Sequence, residues 1–181
     1  MDTLYGQVND DVFNAAAQIK LLVCDVDGVF SDGRIYLGND GEELKAFHTK
    51  DGFGIKALIN SGVQVGIITG RNSNIVKNRM TSLTVNHIVQ GVEDKLPALQ
   101  EIAQSLEFAP HQVAFIGDDS PDLPCIQWCG LGVAVADAHP SVSQGANYTT
   151  FTRGGFGAVR ELCDLIMQAQ GTLSQARGAS L

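Results

Sequence analysis

Two aspartates near the start of the chain have the spacing for chemistry on a phosphate group. Asp25 and Asp27 directly follow an apolar run, residues 19–24, that predicts a buried strand, and Gly28 comes next. Because charge is unfavourable inside a strand core, we expect both carboxylates at the carboxyl end of that strand, where open α/β sheets bind ligands. A glycine there permits a sharp exit and a close approach of the backbone to a ligand. The arrangement suits a carboxylate nucleophile, a carboxylic acid/base and a divalent metal acting on one phosphate.

Further polar signals follow where strands are predicted to end or helices to begin. In chain order they are Thr69 with Gly70, Lys95, and Asp118 and Asp119 with Asp122. Each alone has a simpler interpretation, since an Asp or Thr after a strand can cap a helix and a lysine is usually solvated. Together, in this order on an alternating α/β chain, they are a highly specific signal for a site that acts on a phosphate group.

The residue types match the needs of phosphate ester hydrolysis. A phosphate dianion repels an anionic nucleophile, and a bridging divalent cation removes that repulsion. Mg²⁺ prefers oxygen ligands, which the carboxylates of Asp25 and Asp118 and the backbone carbonyl of Asp27 can supply. Thr69 and Lys95 would hold the phosphoryl oxygens. The side chain of Asp27 could protonate a poor leaving group and later accept a proton from water.

The elements that must position these residues alternate along the chain. Beyond the first strand we predict strands at 64–68, 87–89, 113–116 and 131–135, and helices at 73–83, 96–106, 122–128 and 158–168. Such alternation predicts an α/β fold with a doubly wound, mostly parallel sheet covered by helices on both faces. Residues 34–37 and 44–47 flank a Gly/Asn/Asp turn and predict a short β-hairpin after the first strand.

Bulk composition narrows the possible partners and location. A chain of 181 residues is long enough for one domain with a sizeable core, and its formal net charge of −8 argues against a nucleic-acid partner. No apolar run is long enough for a bilayer, and residues 1–5 lack the pattern of a signal peptide, so we expect no membrane partner and a cytoplasmic location. The four cysteines lack structural-zinc spacing and are expected to be buried reduced thiols.

The polar signals as they stand resemble those of the haloacid dehalogenase superfamily of phosphatases. The resemblance implies that Asp25 is a nucleophile forming an aspartyl-phosphate and that Asp27 is the acid/base. It implies Mg²⁺ on Asp25, the Asp27 carbonyl and Asp118. Asp119 and Asp122 would then be supporting carboxylates.

A closer resemblance covers residues 18–171. The segments 47–55, 69–71, 90–91 and 154–161 look like the 3-deoxy-D-manno-octulosonate 8-phosphate phosphatase family. The resemblance implies a capless, homotetrameric enzyme whose neighbouring subunits complete each site, releasing phosphate from that sugar during lipopolysaccharide precursor synthesis. The resemblance gives a phosphatase domain at 18–171, with its hairpin at 34–47, after an N-terminal extension at 1–17. The tail at 172–181 is rich in Gly, Ser and Ala and is expected to be flexible.

Three alternatives to this function remain open. The substrate could be a related nonulosonate 9-phosphate, since phosphatases for related sugars share the motifs. A phospho-receiver domain also combines Asp, Mg²⁺, Thr and Lys, but its phosphoacceptor and paired acids lie on different strands, whereas Asp25 and Asp27 follow one strand. A non-catalytic oligomerisation module would not require intact motifs.

Four further residues are candidates for selecting the substrate. A 2-keto acid sugar carries a carboxylate, which the guanidinium of Arg71 or Arg79 could bind in bidentate fashion. Arg79 could instead be a solvated helix residue or part of an interface ion pair. Lys50 and Asp51 precede a predicted helix at 52–61, and either could face substrate or cap that helix. We expect Asp51 to be its N-cap.

Overall fold

A parallel six-stranded sheet forms the centre of the molecule in the computed structural model, which describes residues 1–177. The strands are β1 (Leu21–Cys24), β2 (Tyr36–Leu37), β3 (Glu43–Leu44), β4 (Gln64–Thr69), β5 (His87–Gln90), β6 (Val113–Gly117), β7 (Leu131–Ala134) and β8 (Tyr148–Thr149). The sheet order is β5-β4-β1-β6-β7-β8, and β2 and β3 form a separate antiparallel pair. The predicted α/β fold with a doubly wound sheet is confirmed.

Helices cover both faces of this sheet. They are α1 (Asp10–Ala16), α2 (Thr49–Asn60), α3 (Asn74–Ser82), α4 (Lys95–Ser105), α5 (Leu123–Trp128), α6 (Pro140–Gly145) and α7 (Ala158–Ala169), with 3-10 turns at Pro110–Gln112, Ser120–Asp122 and Leu173–Gln175. Along β1, Leu22 and Cys24 enter the apolar core shared with α1, α2, α3 and α7, whereas Leu21 and Val23 enter the core shared with α4, α5 and α6. Because both faces of β1 are buried, its sequence is continuously apolar.

The start of α2 differs from the prediction. The helix begins at Thr49, and its N-cap is His48, whose side chain accepts a hydrogen bond from the backbone N–H of Lys50. The prediction that Asp51 caps this helix is therefore wrong. Asp51 lies in the first turn and is buried, and its Oδ1 accepts a 2.8 Å hydrogen bond from the backbone N–H of Arg160 on α7. His48 is the N-cap because the helix begins at Thr49, three residues before the start predicted from its apolar pattern.

The predicted hairpin forms, with strands of only two residues each. Tyr36 pairs with Leu44, and Leu37 pairs with Glu43. The side chains of Tyr36, Leu37 and Leu44 are 50%, 72% and 66% exposed. The hairpin therefore presents apolar surface to the outside of a single subunit.

The N-terminal residues pack onto the rest of the molecule. Val12 and Ala16 of α1 are buried in the core that α7 shares, and the Tyr5 hydroxyl donates a 2.9 Å hydrogen bond to Asp164 Oδ2. The last four residues of the predicted tail, 178–181, lie outside the described residues. Between residues 1 and 177, no helix is both long enough and apolar enough to cross a bilayer.

Candidate active site

A cavity of about 380 Å³ lies at the carboxyl ends of β1, β4 and β6. Its lining consists of Asp25, Asp27, Thr69, Gly70, Arg71, Glu93, Lys95, Asp118, Asp119, Pro121 and Asp122. The topology explains this convergence, since parallel neighbours end at the same edge of the sheet and β1 lies between β4 and β6. The residues predicted to act on phosphate thus lie around one space.

A buried lysine joins two of the carboxylates. Lys95, the first residue of α4, places its Nζ 2.8 Å from Asp25 Oδ1 and 2.7 Å from Asp122 Oδ1. Burial alone would lower the pKa of Lys95, but the two carboxylates outweigh it and raise the pKa. The ammonium is therefore a fixed positive charge in the cavity wall.

Asp122 anchors the loop that follows β6. Its Oδ2 accepts hydrogen bonds from the backbone N–H groups of Asp118 at 2.9 Å and Asp119 at 3.2 Å, while its Oδ1 faces Lys95. Both oxygens are thus occupied by protein donors. Asp122 fixes the backbone from which the Asp118 side chain enters the cavity.

The remaining carboxylates form a site suited to a divalent cation. Asp25, Asp118 and Asp122 each offer an oxygen, and these oxygens lie within 4.8 Å of one another. Burial raises the pKa of Asp118 to about 8, assisted by the charges of Asp25 and Asp122. Burial also raises the pKa of Asp25. A cation would offset this concentration of negative charge. Because Asp122 is committed to other partners, Asp25 and Asp118 are the carboxylates best placed to take the metal.

The loop after β1 must approach the other loops closely. Gly28 has a φ of +91°, and a Cβ at this position would lie 2.1 Å from Asp118 Oδ2. A Cβ at Gly154 would lie 1.7 Å from the carbonyl oxygen of Gly28, and the N–H of Gly155 donates a 2.9 Å hydrogen bond to the carbonyl of Val29. The segment 153–157, ahead of α7, therefore supports the loop that carries Asp27.

Comparison with known proteins identifies the family. Residues 84–159 match the haloacid dehalogenase-like hydrolase family. Over 181 residues, all of this chain and 97% of the relative, the sequence is 54% identical to 3-deoxy-D-manno-octulosonate 8-phosphate phosphatase of Yersinia pestis. The chain belongs to the 3-deoxy-D-manno-octulosonate 8-phosphate phosphatase family. It is thus a phosphoric monoester hydrolase of the haloacid dehalogenase type.

Solved structures of the 3-deoxy-D-manno-octulosonate 8-phosphate phosphatase family share this fold. The crystal structure of the Yersinia pestis phosphatase has a TM-score of 0.98 to this chain at 54% identity, covering 100% of this chain and 98% of that one. The phosphatase of Moraxella catarrhalis, solved with magnesium ion, phosphate ion and KDO, has a TM-score of 0.91 at 40% identity, covering 93% and 97%.

Of the four predicted substrate-selecting residues, one lines the cavity. Arg71 belongs to the lining, and its Nη2 lies 3.0 Å from Glu43 Oε2. Lys50 and Asp51 are in the first turn of α2 and Arg79 is near the end of α3, and none of these three lines the cavity. The charge of Arg79 is close enough to lower the pKa of Asp51, although burial of Asp51 dominates and raises that pKa to about 7.

Sequence reasoning missed Lys45 and Glu43 on the hairpin. The Nζ of Lys45 forms an ion pair with Asp27 Oδ1, and Glu43 forms the ion pair with Arg71. Because side chains alternate between the two faces of a strand, the sequence could have predicted that Glu43 and Lys45 share a face of the hairpin. The sequence gives no signal, however, for the direction in which so short a hairpin folds.

Proposed function

We propose that this chain releases phosphate from 3-deoxy-D-manno-octulosonate 8-phosphate, a reaction that supplies a lipopolysaccharide precursor. The main support is the convergence of Asp25, Asp27 and Asp118 with Thr69 and Lys95 in one cavity. The substrate follows from the named activity of relatives that are 54% and 50% identical over nearly the whole chain. A related nonulosonate 9-phosphate is the alternative substrate.

Asp25 is proposed as the nucleophile and Asp27 as the acid/base. The Asp25 carboxylate attacks phosphorus, the bond from phosphorus to the sugar oxygen breaks, and Asp27 gives its proton to that oxygen. The product is an aspartyl-phosphate on Asp25. A water then attacks phosphorus, Asp27 accepts the water's proton, and the acyl-phosphate bond breaks to free phosphate and restore Asp25.

Thr69, Gly70 and Lys95 bind the transferring phosphoryl group in this scheme. The hydroxyl of Thr69 and the backbone N–H of Gly70 supply donors, and Lys95 supplies a positive charge. Lys95 is held by Asp25 and Asp122, so its position is set before substrate arrives. A preorganised charge needs little rearrangement during the reaction.

Magnesium is the cofactor, and Asp25, Asp118 and the backbone carbonyl of Asp27 would hold it. When bound, it neutralises the repulsion between the phosphate dianion and the carboxylate nucleophile. Asp119 and Asp122 support this site, Asp122 by fixing the loop of Asp118. The raised pKa of Asp118 supports this assignment, since burial and the charges of Asp25 and Asp122 outweigh the lowering effect of Lys95.

Arg71 is the residue proposed to bind the carboxylate of the sugar acid. It lines the cavity beside Gly70, and its planar guanidinium suits bidentate recognition. Arg79 and Lys50 remain candidates that would reach substrate from another subunit. We propose no substrate contact for Asp51, which is buried against α7.

Assembly and location complete the proposal. A homo-oligomer is favoured because neighbouring subunits would cover the exposed apolar side chains of Tyr36, Leu37 and Leu44, and the family resemblance makes a homotetramer the proposed form. A cytoplasmic location is favoured by the cysteines, all four of which fall in the described part of the chain and are buried and free.

A phosphate-release assay on a panel of substrates tests the proposed activity. The panel contains 3-deoxy-D-manno-octulosonate 8-phosphate, a nonulosonate 9-phosphate, common hexose phosphates and an aryl phosphate, each with Mg²⁺ or with EDTA. The octulosonate ester should have the highest kcat/KM, and EDTA should abolish turnover. A higher kcat/KM for the nonulosonate ester would change the assigned substrate. Undiminished turnover in EDTA would refute the metal mechanism.

A further inference from the structure

The hairpin directs Glu43 and Lys45 to the face opposite that of Tyr36 and Leu44. Glu43 and Lys45 are two residues apart, so they share a face of the chain that forms β3. Leu44 lies between them and points to the other face, where it is 66% exposed. The same segment can therefore contact another subunit with one face and the cavity with the other.

Lys45 is buried against the side chain of Asp27. Its side chain has no exposed surface, and its Nζ donates a hydrogen bond to Asp27 Oδ1. Lysine is almost never fully buried unless it is paired, because removing an ammonium group from water is costly. On a surface hairpin, a lysine side chain that extends into water would avoid this desolvation cost. The burial of this lysine beside Asp27 therefore calls for a role at the site.

A second ion pair ties the same face to the other side of the cavity. Glu43 Oε1 lies 3.7 Å from Lys45 Nζ, and Glu43 Oε2 lies 3.0 Å from Arg71 Nη2. Charges thus alternate along Asp27, Lys45, Glu43 and Arg71. The line runs from the loop after β1 to the turn after β4, so that the hairpin connects two residues of the cavity lining, Asp27 and Arg71, within one subunit.

We propose that Lys45 is a positioning residue that holds the Asp27 carboxyl group in its orientation for proton transfer to the leaving group. The inference rests on the proposed function, in which Asp27 is the acid/base. Without the lysine, the Asp27 side chain is free to rotate at χ1 and χ2, and a proton donor that is displaced by about 1 Å can lose about 100-fold in rate. The effect should be large only where the leaving group needs a proton.

Lys45→Met tests this inference with two substrates. We expect kcat/KM for the sugar phosphate to fall about 100-fold, mainly in kcat. For an aryl phosphate, which leaves without protonation, the loss should stay within about fivefold. Lys45→Arg keeps a buried cation and should recover at least about tenfold of the lost activity. Lys56→Met, a matched change on α2 outside the cavity lining, should match wild type.

A double-mutant cycle separates positioning from a general structural effect. In an Asp27→Asn background, Lys45→Met should change turnover by less than about twofold, because the group that it positions is absent. If the activity losses of the two single variants multiply in the double variant, the inference is overturned and the proposed function stays intact. Equal losses of Lys45→Met on the two substrates would have the same consequence. Wild-type protein without Mg²⁺-dependent phosphate release would overturn both. If Lys45→Met does not fold, Lys45→Gln enters the same cycle with the same criteria.

Discussion

Asp25 and Asp27 follow the same strand, yet their substitutions should differ in their dependence on the substrate. Asp25→Asn removes the nucleophile and should lower phosphate release by at least about 1,000-fold on every ester. Asp27→Asn removes the proton donor and should cost about 100- to 10,000-fold on a sugar phosphate, but much less on an aryl phosphate. Steady-state kinetics of both variants on both substrates make the comparison. Equal losses for Asp27→Asn on the two esters would contradict the acid role.

Asp51 should make stability depend on pH, independently of catalysis. It is 1% exposed, its Oδ1 accepts the N–H of Arg160, and its Oδ2 has no hydrogen-bond partner among residues 1–177. Burial raises its pKa from 3.8 to about 7, against the lowering effects of Arg160, Arg79 and Lys50. Between these two pKa values the folded state binds more protons than the unfolded state. The free energy of unfolding therefore falls as pH rises, by up to about 1.4 kcal/mol per unit from this group.

Asp51→Asn tests this dependence, because the amide cannot ionise and its oxygen can still accept the hydrogen bond from Arg160. Urea unfolding of both proteins in EDTA, at several pH values from 4 to 8, gives the difference in unfolding free energy. The variant should gain relative to wild type as pH rises through this range and level off above about pH 7. A difference that does not vary with pH would show that Asp51 has an ordinary pKa.

The individual residues also show how far sequence reasoning could reach. The convergence of Asp25, Thr69 and Asp118 could be predicted, because each lies at the end of a strand and parallel strands end at one edge of the sheet. Lys95 precedes a helix, and its place in the set is predicted from the order of the motifs and their resemblance to a known family. The structure adds the strand order, in which β1 lies between β4 and β6. The contact of Lys45 with Asp27 could not be predicted, since it spans 18 residues and depends on how a hairpin folds back over the sheet. Sequence patterns that predict turns and strands do not predict the direction in which the hairpin folds back.

At the scale of elements, α7 secures the strand and loop that precede it through one buried carboxylate. Glu161 accepts hydrogen bonds from the Tyr148 hydroxyl at 2.6 Å and from the backbone N–H groups of Phe151 at 2.8 Å and Thr152 at 2.9 Å. Glu161→Gln replaces one acceptor oxygen by a donor. We expect a loss of about 1–3 kcal/mol in unfolding free energy, read from denaturant midpoints. Exposed Glu101→Gln on α4 is the matched control, and equal stability of the two variants would argue against the anchor.

Gly154 should be essential, because its loop packs closely against the loop that carries Asp27. A Cβ there would lie 1.7 Å from the backbone oxygen of Gly28, so Gly154→Ala must displace one of the two loops. We expect about 100-fold lower kcat/KM from misplacement of Asp27. In Gly145→Ala, the new Cβ meets the end of the Leu123 side chain, which can move, and activity should stay near wild type. Comparable activity in both variants would mean that the contact is not tight.

At the scale of the whole molecule, the hairpin connects assembly with catalysis. A hairpin of two-residue strands is marginal alone in water, and Tyr36 and Leu44 lie opposite each other as an exposed apolar pair. We expect these side chains to be covered in a symmetric homo-oligomer, such as the proposed tetramer. Tyr36 and Leu44 form the outer face of the hairpin, and Glu43 and Lys45 lie on its inner face. Since Lys45 follows Leu44 directly, a change on the outer face should disturb the contacts of the inner face.

Charged substitutions on the outer face test this connection. Tyr36→Lys with Leu44→Lys should dissociate the oligomer, because the two like charges lie opposite each other and burying unpartnered charge at an interface is unfavourable. Light scattering gives the mass, and kinetics on the two ester types should show a larger loss for the sugar phosphate than for the aryl phosphate. Phe151→Lys, at an exposed aromatic residue outside the hairpin, is the control. A wild-type protein that is a fully active monomer would refute assembly through the hairpin. It would also show that the ion pairs of Lys45 with Asp27 and of Glu43 with Arg71 are sufficient to hold the hairpin beside the cavity.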